Sequence, residues 1–244
     1  PIRTYQMADT ASQQQVLYAH GGGFVVGGLD SHDDVCAEIA SRCSVDVVSV
    51  DYRLAPEFHY PQDLNDCLAV LDKLLAAGHQ VVLAGDSAGG ALSACVANSR
   101  IEACGKEIIG QVLIYPSLVK DWSTPSMIEH ANAPMLTKDD MEYYLPMRTN
   151  GKPSPFEDPG FVAMASKDLS GLPPTHLFPA QVDPLCDDCE IYAKALQSVG
   201  VEVVNHFDLG QGLVHGHLRA RNVSHKAKAC FDEICKSVDL LLKR

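Results

Sequence analysis

Short apolar runs and amphipathic stretches alternate along this chain. The runs at 15–19, 45–50, 81–84, 111–115, 175–180 and 201–207 are rich in valine and leucine, and several are almost continuously hydrophobic. Continuous rather than alternating apolarity predicts strands covered on both faces, the condition of a parallel sheet. Between the runs, the spacing predicts helices over 32–42, 64–77, 89–104, 186–199 and 224–242, with Gly200 as a stop after the fourth. Strands alternating with helices predict an α/β fold with a mostly parallel, doubly wound sheet and helices on both faces. One stretch breaks the alternation. From Lys120 to Pro174 there is no strand signal, but there are prolines, Met135, Met141, Met147 and the pair Tyr143-Tyr144. A mostly helical insertion over 120–174 is expected there, lying over the strand ends and walling a pocket. With no internal repeat, residues 1–244 read as a single domain.

The third apolar run carries the chemistry. Val81-Val82-Leu83-Ala84 leads into Gly85-Asp86-Ser87-Ala88-Gly89-Gly90 and then into an alanine-rich stretch. A buried strand, a tight turn and a helix form the backbone that lifts one serine out of a sheet, the nucleophile elbow of an α/β-hydrolase. The flanking glycines are expected because a Cβ at either would strike the neighbouring strand and helix. Upstream, Leu17-Tyr18-Ala19-His20 ends a strand and Gly21-Gly22-Gly23-Phe24 follows. Three successive glycines let backbone N–H groups turn towards an oxyanion, and Ala88 adds another at the start of its helix. His20 reads as a hydrogen-bonding residue that shapes this loop.

Ser87 needs an imidazole to take its proton, and in this fold the order is serine, acid, histidine. Asp183 stands just past a late strand and is favoured as the acid over Asp187, Asp188 and Glu190, which fall on the following helix. For the base, Gly212-Leu213-Val214-His215-Gly216-His217 offers two histidines, with His206 nearby. His215 is favoured because it precedes a glycine in a tight loop.

Composition narrows the partners. A net charge of −12 excludes nucleic acid and anionic membrane, both of which demand basic surface. No run approaches the length of a membrane span, and no charged-then-apolar leader follows Pro1. Nine scattered cysteines suit a reducing, cytoplasmic setting better than a disulfide framework. Cys186-Asp187-Asp188-Cys189 is a lone C-x-x-C and reads as the first turn of a helix, its aspartates complementing the dipole.

Together these residues resemble the hormone-sensitive-lipase-like family of esterases, marked by H-G-G-G and G-D-x-G. Asp51-Tyr52-Arg53-Leu54-Ala55-Pro56-Glu57, Gln111-Val112-Leu113-Ile114-Tyr115-Pro116, Leu169-Ser170-Gly171-Leu172-Pro173-Pro174 and Asp183-Pro184-Leu185 are similar to family segments, and His215-Gly216 falls where the family places its histidine. The resemblance implies a carboxylic-ester hydrolase acting on short-chain acyl esters without metal or organic cofactor. It implies a triad of Ser87, His215 and Asp183, with two of Gly21, Gly22 and Gly23 (Gly22 and Gly23 favoured) and Ala88 holding the oxyanion. A homodimer is a further expectation. The alternatives are an amide, arylformamide or lactone hydrolase with the same triad, or a small-ligand receptor of the gibberellin-receptor kind. The resemblance also places a strand near Ile2 and implies some tens of preceding residues, part of the cap, that this sequence lacks. Three further departures are a short connection from Leu75 to Val81, His217 where phenylalanine is common and Ala91 where asparagine is frequent.

Overall fold

The computed structural model describes residues 1–7 and 13–244. Its sheet contains β1 (Ile2–Tyr5), β2 (Gln14–Ala19), β3 (Asp46–Val50), β4 (Gln80–Asp86), β5 (Ile108–Ile114), β6 (Thr175–Phe178) and β7 (Val203–Asn205), in the order β1-β3-β2-β4-β5-β6-β7. Neighbours pair in parallel except β1, which runs antiparallel to β3 at one edge.

Continuous apolarity in the central strands has the expected cause, since both faces are covered. Along β2, Leu17 and Ala19 point to one side and Val16 and Tyr18 to the other; β4 sorts Val81 and Leu83 from Val82 and Ala84 in the same way. The first side packs against α2 (Gln62–Ala76), α3 (Ala88–Ser99) and α6 (Cys186–Ser198), through residues such as Leu71, Leu92 and Tyr192. The second packs against α1 (Asp33–Cys43) and α7 (His225–Leu242), through Ile39, Phe231 and Val238. Each fully buried leucine or valine contributes about 2 kcal/mol of transfer free energy, so the two cores dominate stability.

Several element boundaries differ from the sequence pattern. The helix expected over 89–104 stops at Ser99, because the chain leaves helical geometry at Arg100, whose guanidinium is held by Asp72 on α2. The strand expected to run to 180 ends at Phe178, before Pro179, which has no N–H to donate. The last run contracts to β7, while β5 starts three residues earlier than expected, at Ile108. Gly110 is accommodated within β5 because a Cβ there would lie 2.5 Å from Leu241 of α7. The insertion over 120–174 is not mostly helical. It holds α4 (Pro125–Glu129), α5 (Lys138–Thr149) and one short 3-10 turn, Ala163–Ala165, joined by irregular chain. Pro153, Pro155 and Pro159 follow α5 and deny the backbone the N–H groups that more helix would need. Thr137 and Asp140 form a capping box that starts α5.

The turn from β4 to α3 is the local feature that places the site. Ser87 adopts φ 54° and ψ −121°, a conformation that side chains avoid. The chain can turn this tightly because Gly85 and Gly89 lack side chains: a Cβ on Gly89 would stand 2.0 Å from the Ala19 carbonyl oxygen, and one on Gly85 2.5 Å from the Gly89 carbonyl carbon. Both neighbours are backbone and cannot rotate away. Gly89→Ala is therefore expected to destabilise the fold by about 3 kcal/mol, read as a lower urea midpoint or as insoluble expression.

Two buried histidines make stability depend on pH. His176 on β6 stacks with His206, their rings 5.3 Å apart, and His217 is 2% exposed. Burial, followed by the repulsion of a neighbouring histidine, pulls both imidazoles from 6.5 down to about 4. A base whose folded pKa is depressed binds fewer protons folded than unfolded. Its contribution is thus complete above pH 6.5 and is lost as pH falls towards 4. The urea midpoint should decline across that window, and His176→Phe should flatten the decline.

Candidate active site

Parallel strands bring their carboxyl ends to one edge, and the loops that leave that edge gather the expected residues. Ser87 follows β4. Asp183 lies in the turn between β6 and α6, and His215 in the loop after β7. Val182 and Val214 bridge these last two loops, setting acid and base side by side. His215 Nε2 is 2.8 Å from Ser87 Oγ, and its Nδ1 is 2.6 Å from Asp183 Oδ2. Asp183 is fully buried, and its other oxygen accepts the Leu185 N–H at 2.9 Å. The carboxylate is therefore fixed before it orients the imidazole. Tyr115 packs its ring 4.7 Å from that of His215 and limits its tilt.

The glycine loop after β2 is tied to the elbow by Asp86. Asp86 Oδ1 accepts the Tyr18 hydroxyl at 2.9 Å and the Gly21 N–H at 3.0 Å, and Oδ2 lies 3.3 Å from His32 Nε2. Burial opposes charge on Asp86, yet His32, Tyr18 and the Gly21 amide together hold its carboxyl down at about 2. Gly21 is thereby removed from the donors expected at the oxyanion, because its N–H is already engaged. The N–H groups of Gly22, Gly23 and Ala88 donate to no acceptor among the described residues. Gly22 (φ 133°) and Gly23 (φ 62°) use backbone conformations that free the loop from the strand direction. His20 bonds the Gly21 carbonyl through Nδ1 at 2.8 Å and stacks on Tyr52, so it shapes the loop as its position suggested.

The competing residues lie elsewhere. His217 packs edge-on against Tyr115 with Nε2 towards Cys230, and His206 stacks on Phe178. Asp187 accepts the Ser126 N–H, and Asp188 accepts those of Leu118 and Val119. Burial pushes the Asp188 carboxyl up to about 8. Glu190 pairs with Lys194 on the surface. Cys186 and Cys189 open α6 as free thiols, and no group of three or more potential metal ligands occurs among the described residues.

The cavity over Ser87 has a volume of about 310 Å³. The glycine loop, Ser87 and His215 form part of its wall, and the 120–174 segment supplies Trp122, Leu136, Met141 and Tyr144. One wall residue had no signature in the sequence. Arg148, near the end of α5, is 4% exposed, and its Nε donates to the buried Asp63 of α2 at 2.7 Å. Its guanidinium lies 3.6 Å from the Phe24 ring centroid and 4.4 Å from that of Phe161. A cation held by a carboxylate and flanked by aromatic faces fastens the insertion to the residue that follows the glycines. Among the described residues, no helix is long and apolar enough to cross a membrane.

Known proteins resemble this chain in sequence and fold. The Abhydrolase_3 family model, described as an alpha/beta hydrolase fold, matches residues 16–219. Esterase LipI of Mycobacterium tuberculosis is 39% identical over 222 residues, covering 86% of this chain and 67% of its own length. Carboxylesterase NlhH of the same organism is 39% identical over 212 residues, covering 83% of this chain and 66% of its own. The chain thus spans about two thirds of the length of these curated relatives. Among solved structures, the thermostable carboxylesterase EstE1, cloned from a metagenomic library, superposes with a TM-score of 0.90 at 32% identity, over 100% of this chain and 85% of that one. An esterase of Pyrobaculum calidifontis gives 0.87 at 33% identity, over 98% and 81%. The buried sheet, the serine elbow and these matches lead to one conclusion: the chain belongs to the Abhydrolase_3 family of α/β-hydrolases, the hormone-sensitive-lipase-like group.

Proposed function

We propose that this chain hydrolyses carboxylic esters with small acyl groups through an acyl-enzyme on Ser87. The observation that carries the reading is the single imidazole of His215, placed within 2.8 Å of Ser87 Oγ and 2.6 Å of Asp183. The curated relatives named as carboxylesterases support the class of reaction. A cavity of about 310 Å³ is at the small end of ligand pockets, which favours short acyl groups.

In this reading Ser87 Oγ attacks the acyl carbon while His215 Nε2 takes its proton. The carbonyl oxygen becomes an oxyanion, held by the free N–H groups of Gly22, Gly23 and Ala88. Collapse breaks the ester C–O bond, and the proton on His215 leaves with the alcohol. Water then attacks the acyl-serine with His215 again as base, and the carboxylic acid departs as Ser87 recovers its proton. Asp183 holds the imidazole in the tautomer with Nε2 free and stabilises the imidazolium that forms twice per cycle. Residues 120–174 act as a cap on the single domain, closing the acyl side of the cavity.

The test is turnover of 4-nitrophenyl butyrate together with intact-mass detection of a fluorophosphonate adduct. Ser87→Ala should lower kcat by about 10⁶-fold and abolish the adduct. Asp183→Asn should lower kcat by about 10⁴-fold with the fold intact by circular dichroism. Turnover that survives Ser87→Ala would remove Ser87 from the mechanism.

A further inference from the structure

The cavity wall has a charge asymmetry that ester hydrolysis does not require. Asp86 is the sole carboxylate in the lining, and its oxygens are occupied by Tyr18, Gly21 and His32. Two guanidinium groups share that lining, Arg148 and Arg219. Arg148 is buried. Asp63 takes only its Nε, while Nη1 and Nη2 make no hydrogen bond among the described residues. The guanidinium carbon lies over the rings of Phe24 and Phe161, 3.6 and 4.4 Å from their centroids, which leaves Nη1 and Nη2 as its unused donors. Arg219, in the short turn after His215, is exposed at the cavity, and its side chain has neither ion pair nor hydrogen bond among the described residues. Asp63 pairs with Arg148 and the ionised Asp86 keeps to its own donors, so Arg219 is the cation of the lining with no carboxylate at ion-pair distance among the described residues.

Resting on the ester-hydrolase reading above, we infer that the preferred substrates are esters carrying a carboxylate, such as monoesters of short dicarboxylic acids, with Arg148 as the specificity-determining residue and Arg219 as a second cation at the cavity. The Nη1 and Nη2 pair of a guanidinium matches the two oxygens of a carboxylate, and the Asp63 bond with the adjoining rings holds the fork before the ligand arrives. A purely apolar acyl chain would cover those donors and leave them unpaired, which is costly in a closed pocket. The net charge of −12 lies outside this cavity, and salt screens it more strongly than it screens the enclosed guanidinium groups.

The test compares monomethyl glutarate with methyl pentanoate, which have equal chain length and differ in the terminal carboxylate, by pH-stat at pH 7.5. Wild type should favour monomethyl glutarate by about tenfold or more in kcat/KM, with a KM that rises with added salt for that ester alone. Arg219→Gln alters an exposed, unpaired side chain and should reduce the ratio of the two kcat/KM values. In the paired variant Asp63→Leu/Arg148→Met, which removes the buried charges as a unit, the ratio should fall to about one. A wild type that turns over both esters equally, or favours pentanoate, overturns this inference alone. So does a preference that survives both variants. Inertness towards both esters with 4-nitrophenyl butyrate still turned over overturns this inference alone, and inertness towards all three overturns the hydrolase reading with it.

Discussion

The site depends on a buried carboxylate whose oxygens are taken up by the protein itself. Asp86 immediately precedes the nucleophile and gathers a hydroxyl from β2, an amide from the glycine loop and an imidazole from the approach to α1. A carboxylate enclosed in protein is tolerated only when its oxygens are satisfied, and breaking such an arrangement costs about 3–5 kcal/mol. That is a large share of the roughly 5–15 kcal/mol that holds an ordinary domain together. The distance between Ser87 and the glycine loop is therefore fixed by the same bonds that keep the chain folded. Preorganisation and stability are one set of contacts here.

The sheet explains how such distant residues meet. Parallel pairing sends the carboxyl ends of β2 to β7 to the same edge, so loops after β2, β4, β6 and β7 converge although the chain between them is long. The two faces of the sheet carry the apolar cores, and the edge is left for polar chemistry. The odd-and-even sorting along β2 and β4 serves both ends: it buries alternate side chains against opposite helix layers and aims the strand termini at the cavity.

Much of this was legible in the chain itself, for identifiable reasons. Valine-rich runs bounded by glycine report strands buried on both faces, and Gly-Asp-Ser-Ala-Gly-Gly reports a turn whose φ at Ser87 only a constrained backbone sustains. Asp183 and His215 stand out in the sequence by their places after late strands, and the structure sets His215 between Asp183 and Ser87. What escaped were relations between remote positions. Arg148 carries no mark in the sequence, and it is Asp63, 85 residues away, that holds it as a buried cation. The engagement of the Gly21 amide depends likewise on Asp86, 65 residues on. The insertion seemed helical from its methionines and tyrosines, but prolines after Thr149 decide otherwise, since a missing N–H outweighs side-chain preference.

The fastening of α5 also bears on how a substrate enters. A lid that swings open must part with whatever holds it shut, and here that is a charge pair with both members at most 5% exposed, packed beneath aromatic rings. Separating it would leave two bare charges in a dry interior, far too rare an event to accompany each turnover. Ligand traffic must then pass lengthwise through the mouth beside Val26 and Met135, both more than half exposed. Access there is governed by the side chains of that rim rather than by a hinge in α5.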